Sequence, residues 1–208
     1  MIESLRKVMS QKVIIPLNPS QTNGVSSVVI HEEGELSAIR ELIIKEVPDD
    51  SIAFTLDFSS KQGNERDKAY YGQLSPYLDK TNGDGINKSC DLIIVTRNQD
   101  KFTVLIFDQK SAKPDIGRCH LQLENSRVFF QYLVSLISLV YQENIDSTKV
   151  SFRKAIGTTR IVKRLVNVAD DPEMARRNDL KRLGIKEVSI KKMPSPDKGW
   201  LDWRGMTS

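Results

Sequence analysis

The sequence predicts an α/β fold with a central mixed β-sheet flanked by helices, and three observations lead there. The chain has 208 residues, 39% hydrophobic and 28% charged, which supplies one sizeable core and is neither a disordered tail nor a membrane protein. Two near-continuous apolar runs, Asp91–Thr96 and Phe102–Phe107, flank the short polar segment 97–101 and read as a hairpin of two central strands buried on both faces. Around that hairpin, helical and strand periodicities alternate. The resulting order is helix, three strands, helix, strand, followed by a further helix and strand.

Along the chain, Lys12–Pro16 is a possible short strand before a polar loop. From Glu35 to Val47, apolar Leu36, Ile39, Ile43 and Val47 recur at spacings of three and four, which predicts an amphipathic helix ended by Pro48. Ser51–Phe58 alternates Ile52, Phe54, Leu56 and Phe58 with smaller or polar neighbours, a strand pattern. The polar stretch 59–88 is long enough to be a structured or functional loop. After the hairpin, a helix is expected from about Cys119 to Gln142. Its segment Val128–Tyr141 is the longest apolar stretch and, being too short for a bilayer span, is expected to be a buried helix. Val150–Thr158 follows as a strand. Asp171, Pro172 and Glu173 supply an N-cap, a first-position proline and a first-turn acid, and Gly184 a C-terminal stop, so 172–183 should be helical. Glu187–Lys192 closes as a strand. No repeat or low-complexity tract interrupts the order, so residues 1–208 read as a single domain, with a core over about 28–160 and a basic αβ extension over about 161–208.

Charge is unevenly divided. The net charge is +4, but residues 151–208 hold 14 Lys and Arg against 7 Asp and Glu, a net +7, and leave residues 1–150 at −3. Arg176, Arg177, Lys181 and Arg182 on the helix after Pro172, with Lys163, Arg164, Lys186, Lys191 and Lys192 around it, form a candidate nucleic-acid-binding region. Trp200 and Trp203 lie where they could stack on bases or cover a corner of the domain. Two cysteines, Cys90 and Cys119, cannot build a disulfide framework. With no signal-peptide pattern and no bilayer-spanning segment, a cytoplasmic protein without a membrane partner is expected. Two histidines, His31 and His120, exclude sites that need several imidazoles. The Asp79–Cys90 segment has Asp84 where a calcium loop requires glycine and Cys90 where it requires glutamate. Walker, dinucleotide and serine-hydrolase motifs are absent from the sequence.

The hairpin carries the chemistry. With a two-residue turn at Gln99–Asp100, opposed residues have numbers summing to 199, so Asp91 faces Asp108, and Lys110, two residues on, shares their side of the sheet. A solvated strand end is the commoner role of an Asp-x-Lys triplet. Here, however, poor strand formers end two buried runs in matching register. Two close carboxylates repel unless they share a proton or hold a cation, and their hard oxygens suit Mg²⁺ or Mn²⁺. A neighbouring ammonium can orient water. Together these groups could support phosphodiester hydrolysis.

Cys90-Asp91, the hairpin, and Phe107-Asp108-Gln109-Lys110 together resemble the PD-(D/E)xK motif of restriction-endonuclease-like nucleases, whose core order, αβββαβ, is the order read for residues 35–158. Glutamate is common in that family at the position of Asp108, and proline at that of Cys90. Gln122-Leu123-Glu124-Asn125-Ser126 is similar to a glutamine-bearing helix of several members; Gln122 falls on the helical face of Phe129, Leu133 and Val140. The resemblance implies Asp91 and Asp108 as metal ligands, the Gln109 carbonyl as a third, Lys110 as the catalytic lysine and Gln122 as a supporting catalytic group. It also implies a glutamate from the first helix, for which Glu32, Glu35 and Glu41 compete; Glu35 is favoured because it precedes the apolar stripe. The expected activity is a Mg²⁺- or Mn²⁺-dependent nuclease acting on DNA, with RNA possible, in a bacterial defence or mobile-element setting. Its small size leaves few contacts for recognition, so a homodimer or a subunit of a larger complex is expected. The alternative is a catalytically silent nuclease-like module that binds nucleic acid or a partner subunit.

Overall fold

Residues 1–21, 24–33, 37–58, 64–79, 81, 83–110, 114–159, 172–195 and 197–208 are described by the computed structural model. In chain order the elements are α1 (Ile2–Val8), β1 (Ile14–Ile15), β2 (Asn18–Pro19), β3 (Val25–His31), β4 (Glu41–Pro48), β5 (Ser51–Phe54), α2 (Glu65–Tyr71), β6 (Leu92–Asn98) and β7 (Lys101–Lys110), then α3 (Ile116–Tyr141), β8 (Val150–Thr158), α4 (Pro172–Arg182), β9 (Ile185–Ser189), β10 (Lys191–Lys192), β11 (Lys198–Asp202) and α5 (Trp203–Thr207). The molecule is mixed α/β, with two mixed sheets. One runs β1-β5-β6-β7-β8-β9, the other β10-β11-β4-β3-β2.

The β6–β7 hairpin is the centre of the larger sheet and has the expected register: Leu92 opposes Phe107, Asn98 opposes Lys101, and Gln99 turns through a positive φ of 57°. Its apolar runs are buried on both faces, as near-continuous hydrophobic strands require. β7 pairs parallel with β8 and β8 parallel with β9, through the crossover helices α3 and α4. Asp115 sets the start of α3 by accepting from the Arg118 N–H, three residues ahead of the expected start. Gly184, at φ +65°, ends α4. The expected N-cap, Asp171, and the cations Lys163 and Arg164 lie outside the described residues.

Two expectations need correction. No helix forms over the described part of 35–47. Residues 41–48 are instead β4, antiparallel to β3 and parallel to β11. The register jumps from Val28↔Ile44 to Ser26↔Val47, so Lys45 and Glu46 together oppose Ser27, with Glu46 at φ 60°. This bulge makes the inward residues Leu42, Ile44 and Val47, and a strand spacing of two becomes three at one step, which imitates a helix. The two faces of the larger sheet are also covered differently from a sheet flanked evenly by helices: α1, α3 and α4 lie on one, and a second sheet with only the short α5 lies on the other. On the first face α1, α3 and α4 pack through Leu5, Leu123, Phe130, Ile137 and Leu180 on Ile93, Val95, Val104 and Ile106. The opposite face, through Ala53, Leu92, Ile94, Leu105 and Phe107, meets the second sheet and α5. Gly157 of β8 permits this contact, since a Cβ there would lie 2.7 Å from Phe107 Cζ and 3.3 Å from Leu201 Cδ1.

A third difference concerns α3. Its buried residues are Cys119, Leu123, Ser126, Phe130 and Ile137, one helical position away from the expected Phe129/Leu133/Val140 face. The Val128–Tyr141 segment is buried on that side alone. Among the described residues no helix is long and apolar enough to cross a membrane.

Candidate functional site

The site lies where β6 begins and β7 ends. Asp91 immediately precedes β6, and the hairpin register continued by one pair sets it against Asp108. Alternation sends Asp91, Asp108 and Lys110 to the side that carries α3. Asp108 is 1% exposed, and Asp91 keeps a partial opening to solvent. The Lys110 ammonium pairs with Asp108 Oδ2. That oxygen is fully buried and accepts no hydrogen bond of regular geometry.

Helix α3 positions both strand ends. Gln122 Oε1 accepts from Lys110 Nζ at 2.8 Å, while its Nε2 donates to the Ser89 carbonyl at 3.3 Å. One turn later, Ser126 Oγ accepts from the Cys90 N–H at 2.9 Å and donates to the Gln122 carbonyl at 2.8 Å. The residues before Asp91 and the residue two beyond Asp108 are thus held by one helical turn. Gln122 reaches the site from beside Cys119 and Ser126, not from the stripe on which the sequence set it.

Gln109 faces both ways. Its backbone N–H donates to Asp91 Oδ2 at 2.5 Å. Within a strand the N–H and C=O of one residue point to the same side, so the Gln109 carbonyl also points toward the Asp91 edge. Its side chain crosses to the opposite face, where Nε2 donates to the Ile39 carbonyl at 2.6 Å and to Ser37 Oγ at 3.3 Å.

The electrostatics follow from this packing. Burial, and then repulsion from Asp108, holds the Asp91 carboxyl well above the usual carboxylate range. Asp108 is also raised, again chiefly by burial, with Lys110 opposing the shift. Burial disfavours the Lys110 charge, but Asp108 outweighs it and leaves the ammonium above its ordinary value, so Lys110 is a cation at neutral pH.

A cavity of about 200 Å³ opens beside Asp91, lined by Glu32, Glu33, Thr55, Asp57, Asp91 and Gln109 among others. Lys68 stands at its wall, 2.9 Å from Glu33. Asp57 is open to this cavity, yet protein surrounds it on most sides; that desolvation, then Glu32 and Asp108, raises its carboxyl. The sequence reading missed Asp57, although it is the only acid in the apolar run 51–58. Of the competing glutamates, Glu32 lines the cavity, Glu41 pairs with Lys198 at 2.8 Å, and Glu35 lies outside the described residues.

A divalent ion such as Mg²⁺ needs hard oxygen donors. Among the described residues no three His, Cys, Asp or Glu side chains gather closely enough to hold one. Magnesium, however, usually keeps several waters and binds through one or two carboxylates. Asp91 and Asp108 supply those, the irregularly partnered Asp108 Oδ2 is a buried oxygen suited to a cation, and the Gln109 carbonyl adds a neutral donor. The residues fit such an ion.

The cations proposed for nucleic-acid binding occupy α4. Arg176 forks onto Glu187 at 2.6 and 2.8 Å, Arg177 lies 3.7 Å from Glu173, Arg182 lies 3.2 Å from Asp179, and Lys181 is exposed. Trp203 is buried against the second sheet, whereas the Trp200 ring lies between Lys45 and Lys191, 4.4 and 4.0 Å from its centroid. Both cysteines are buried and unbridged, and burial raises the Cys119 thiol to about 11. No family model, curated protein or solved structure matches this chain.

Proposed function

We propose that the chain is a divalent-metal-dependent nuclease of the restriction-endonuclease-like class, hydrolysing phosphodiester bonds of DNA. The observation that carries this reading is the convergence of Asp91, Asp108 and Lys110 on one face of two adjacent strand ends, with Gln122 bridging Lys110 to the segment before Asp91. The strand order β5-β6-β7-β8-β9, with β6 alone antiparallel to the others and helical crossovers after β7 and β8, supports the same class. In this proposal α1, packed against β5 and α3, takes the place of the first core helix.

Mg²⁺ or Mn²⁺ held by Asp91, Asp108 and the Gln109 carbonyl would supply Lewis-acid polarisation of a phosphate oxygen and a more acidic water. The chain's own groups do the rest. Lys110, kept protonated by Asp108, donates hydrogen bonds and so orients a water or offsets charge developing on the phosphate; it does not act as a base. Gln122 fixes the direction of that ammonium, because an acceptor at 2.8 Å leaves fewer rotamers open to a flexible lysine. Gln109 keeps Asp91 turned toward Asp108 through its backbone N–H.

Incubation of the protein with supercoiled plasmid and Mg²⁺ or Mn²⁺ tests the proposal. Nicked or linear products are expected, with loss of both on adding EDTA and in Lys110→Ala. Cleavage unchanged in Lys110→Ala overturns the assignment of these residues. If neither DNA nor RNA is cut with either metal, the silent nucleic-acid-binding or partner-binding module replaces the enzyme.

A further inference from the structure

Helix α3 has a second face that no described residue of the fold buries. From Val128 to Tyr141 it carries 14 consecutive residues without a charge. The inward side of this segment packs into the core through Phe130 and Ile137. The outward side does not: Val128 is 56% exposed, Tyr132 56%, Leu136 37%, Leu139 76% and Val140 67%. Spacings of four, four, three and one set these five on one stripe, about 18 Å long at 1.5 Å per residue. Single exposed leucines are ordinary, but a contiguous stripe of five large apolar side chains is not.

The chemistry of the stripe narrows its partner. A nucleic acid needs cations, and there are none in the segment. A helix lying on a membrane surface carries Lys and Arg along its polar edges, whereas the polar residues here are Gln131, Ser135 and Ser138. Tyrosine with aliphatic residues, and depletion of charge, is the composition of a protein interface core. The five side chains offer roughly 500 Å² of apolar surface, so two facing copies would bury roughly 1,000 Å² before flanking residues are counted, near the lower edge of stable interfaces. A second copy presents the same uncharged apolar stripe, and an antiparallel twofold arrangement sets these stripes against each other with helix dipoles opposed. Ser135 lies next to the midpoint of the Val128–Tyr141 segment, exposed and small enough for the two helices to approach closely.

We infer that the outer face of α3 is a homodimer interface, with two α3 helices packed antiparallel about a twofold axis passing near Ser135. This inference is independent of the nuclease proposal, since no stripe residue touches the Asp91–Asp108–Lys110 group.

Sedimentation or light scattering of the full chain at about 50 μM should give close to twice the 23.6 kDa chain mass. Leu139→Glu places two charges in the interface and should raise the dissociation constant at least about 100-fold, giving a monomer with an unchanged circular dichroism spectrum. Tyr132→Lys should do the same by an independent substitution. Ser135→Cys should form an intermolecular disulfide on mild oxidation, because a twofold axis at this position brings it against itself within the roughly 4.4–6.8 Å Cα separation a disulfide needs. Val128→Cys should not, because an antiparallel pair sets the two copies of residue 128 about 21 Å apart along the helices, and its self-cross-linking would overturn the antiparallel geometry. Ser147→Cys, off the stripe, should not cross-link either. The buried native cysteines do not compete. A monomeric wild type, or folded Leu139→Glu and Tyr132→Lys variants that remain dimeric, overturns the interface. Failure of Ser135→Cys to cross-link in a dimer that Leu139→Glu dissociates overturns the antiparallel twofold geometry.

Discussion

Replacing Asp91 with Asn should make the protein more stable in the absence of metal. Opposed side chains of an antiparallel pair hold their Cβ atoms about 5 Å apart, and two full carboxylate charges at that separation repel by about 3 kcal/mol in a medium of effective dielectric about 20. Attraction between Asp91 and Lys110 offsets part of this, while the cost of burying the Asp91 charge acts in the same direction as the repulsion. Asn keeps an oxygen to accept the Gln109 N–H and gains an amide that can donate to Asp108. A net gain of about 1–2 kcal/mol follows, which for a chain of this size is a rise in Tm of about 2–8 °C. The sign depends on pH. Because the folded carboxyl titrates above its unfolded value, the folded state retains a proton that the unfolded chain releases above about pH 4; wild-type stability is therefore lost as pH rises through that window. Thermal melts in EDTA should show the variant ahead at about pH 8 and the two proteins converging toward about pH 4. Adding Mg²⁺ should raise the wild-type Tm and narrow the gap. A variant less stable than wild type at about pH 8, or a gap independent of pH, refutes the electrostatic argument.

Two further substitutions test how the site is supported. Gly157→Ala forces a Cβ to within 2.7 Å of Phe107 Cζ between the two sheets. It should cost about 1–3 kcal/mol, read as a lowered urea midpoint, and an unchanged midpoint would show that the layers are looser than described. Asn125 Nδ2 converges on the carbonyls of Gly85, Ile86 and Lys88 at 3.0, 3.2 and 3.0 Å, tying the 83–88 loop to α3. Asn125→Ala should release this loop locally at a cost of about 1 kcal/mol, giving about fivefold faster limited proteolysis there with little change in Tm; an equal rate would mean that other contacts hold the loop.

The hairpin was legible because several signals coincide in it. Two buried runs of equal length, a short polar turn and residues of poor strand propensity at corresponding ends admit one register, and that register is the observed one. The end of α4 was readable from Gly184, whose positive φ is a local requirement independent of packing. The second sheet was not readable, since β4 pairs with β3 and β11 through residues far apart in sequence and its bulge turned alternation into a helical spacing. Asp57 was hidden for a related reason. Alternation carried the expected strand through Phe58, whereas β5 ends at Phe54, and the residues after it turn toward the cavity. The phase of α3 was ambiguous because a segment without charges has no polar face to mark the outside, and because Ser126 and Gln122 on the inward side are polar in the service of the site.

The division of Gln109 between two faces bears on how such a site can be rebuilt. Its backbone serves Asp91, and its side chain is anchored on Ile39 in the second layer. Strand alternation therefore separates two kinds of inheritance at a single position: the main chain keeps its hydrogen bond to Asp91 with any residue but proline, while the side chain is free to match whatever layer lies beneath. A lineage could exchange the second sheet for another accessory structure by changing residue 109 and its contacts, leaving Asp91, Asp108 and Lys110 untouched. The same joint makes that layer a route by which an event on the far surface could alter the cleft, since any movement of the Ile39 carbonyl pulls on the strand end that orients Asp91.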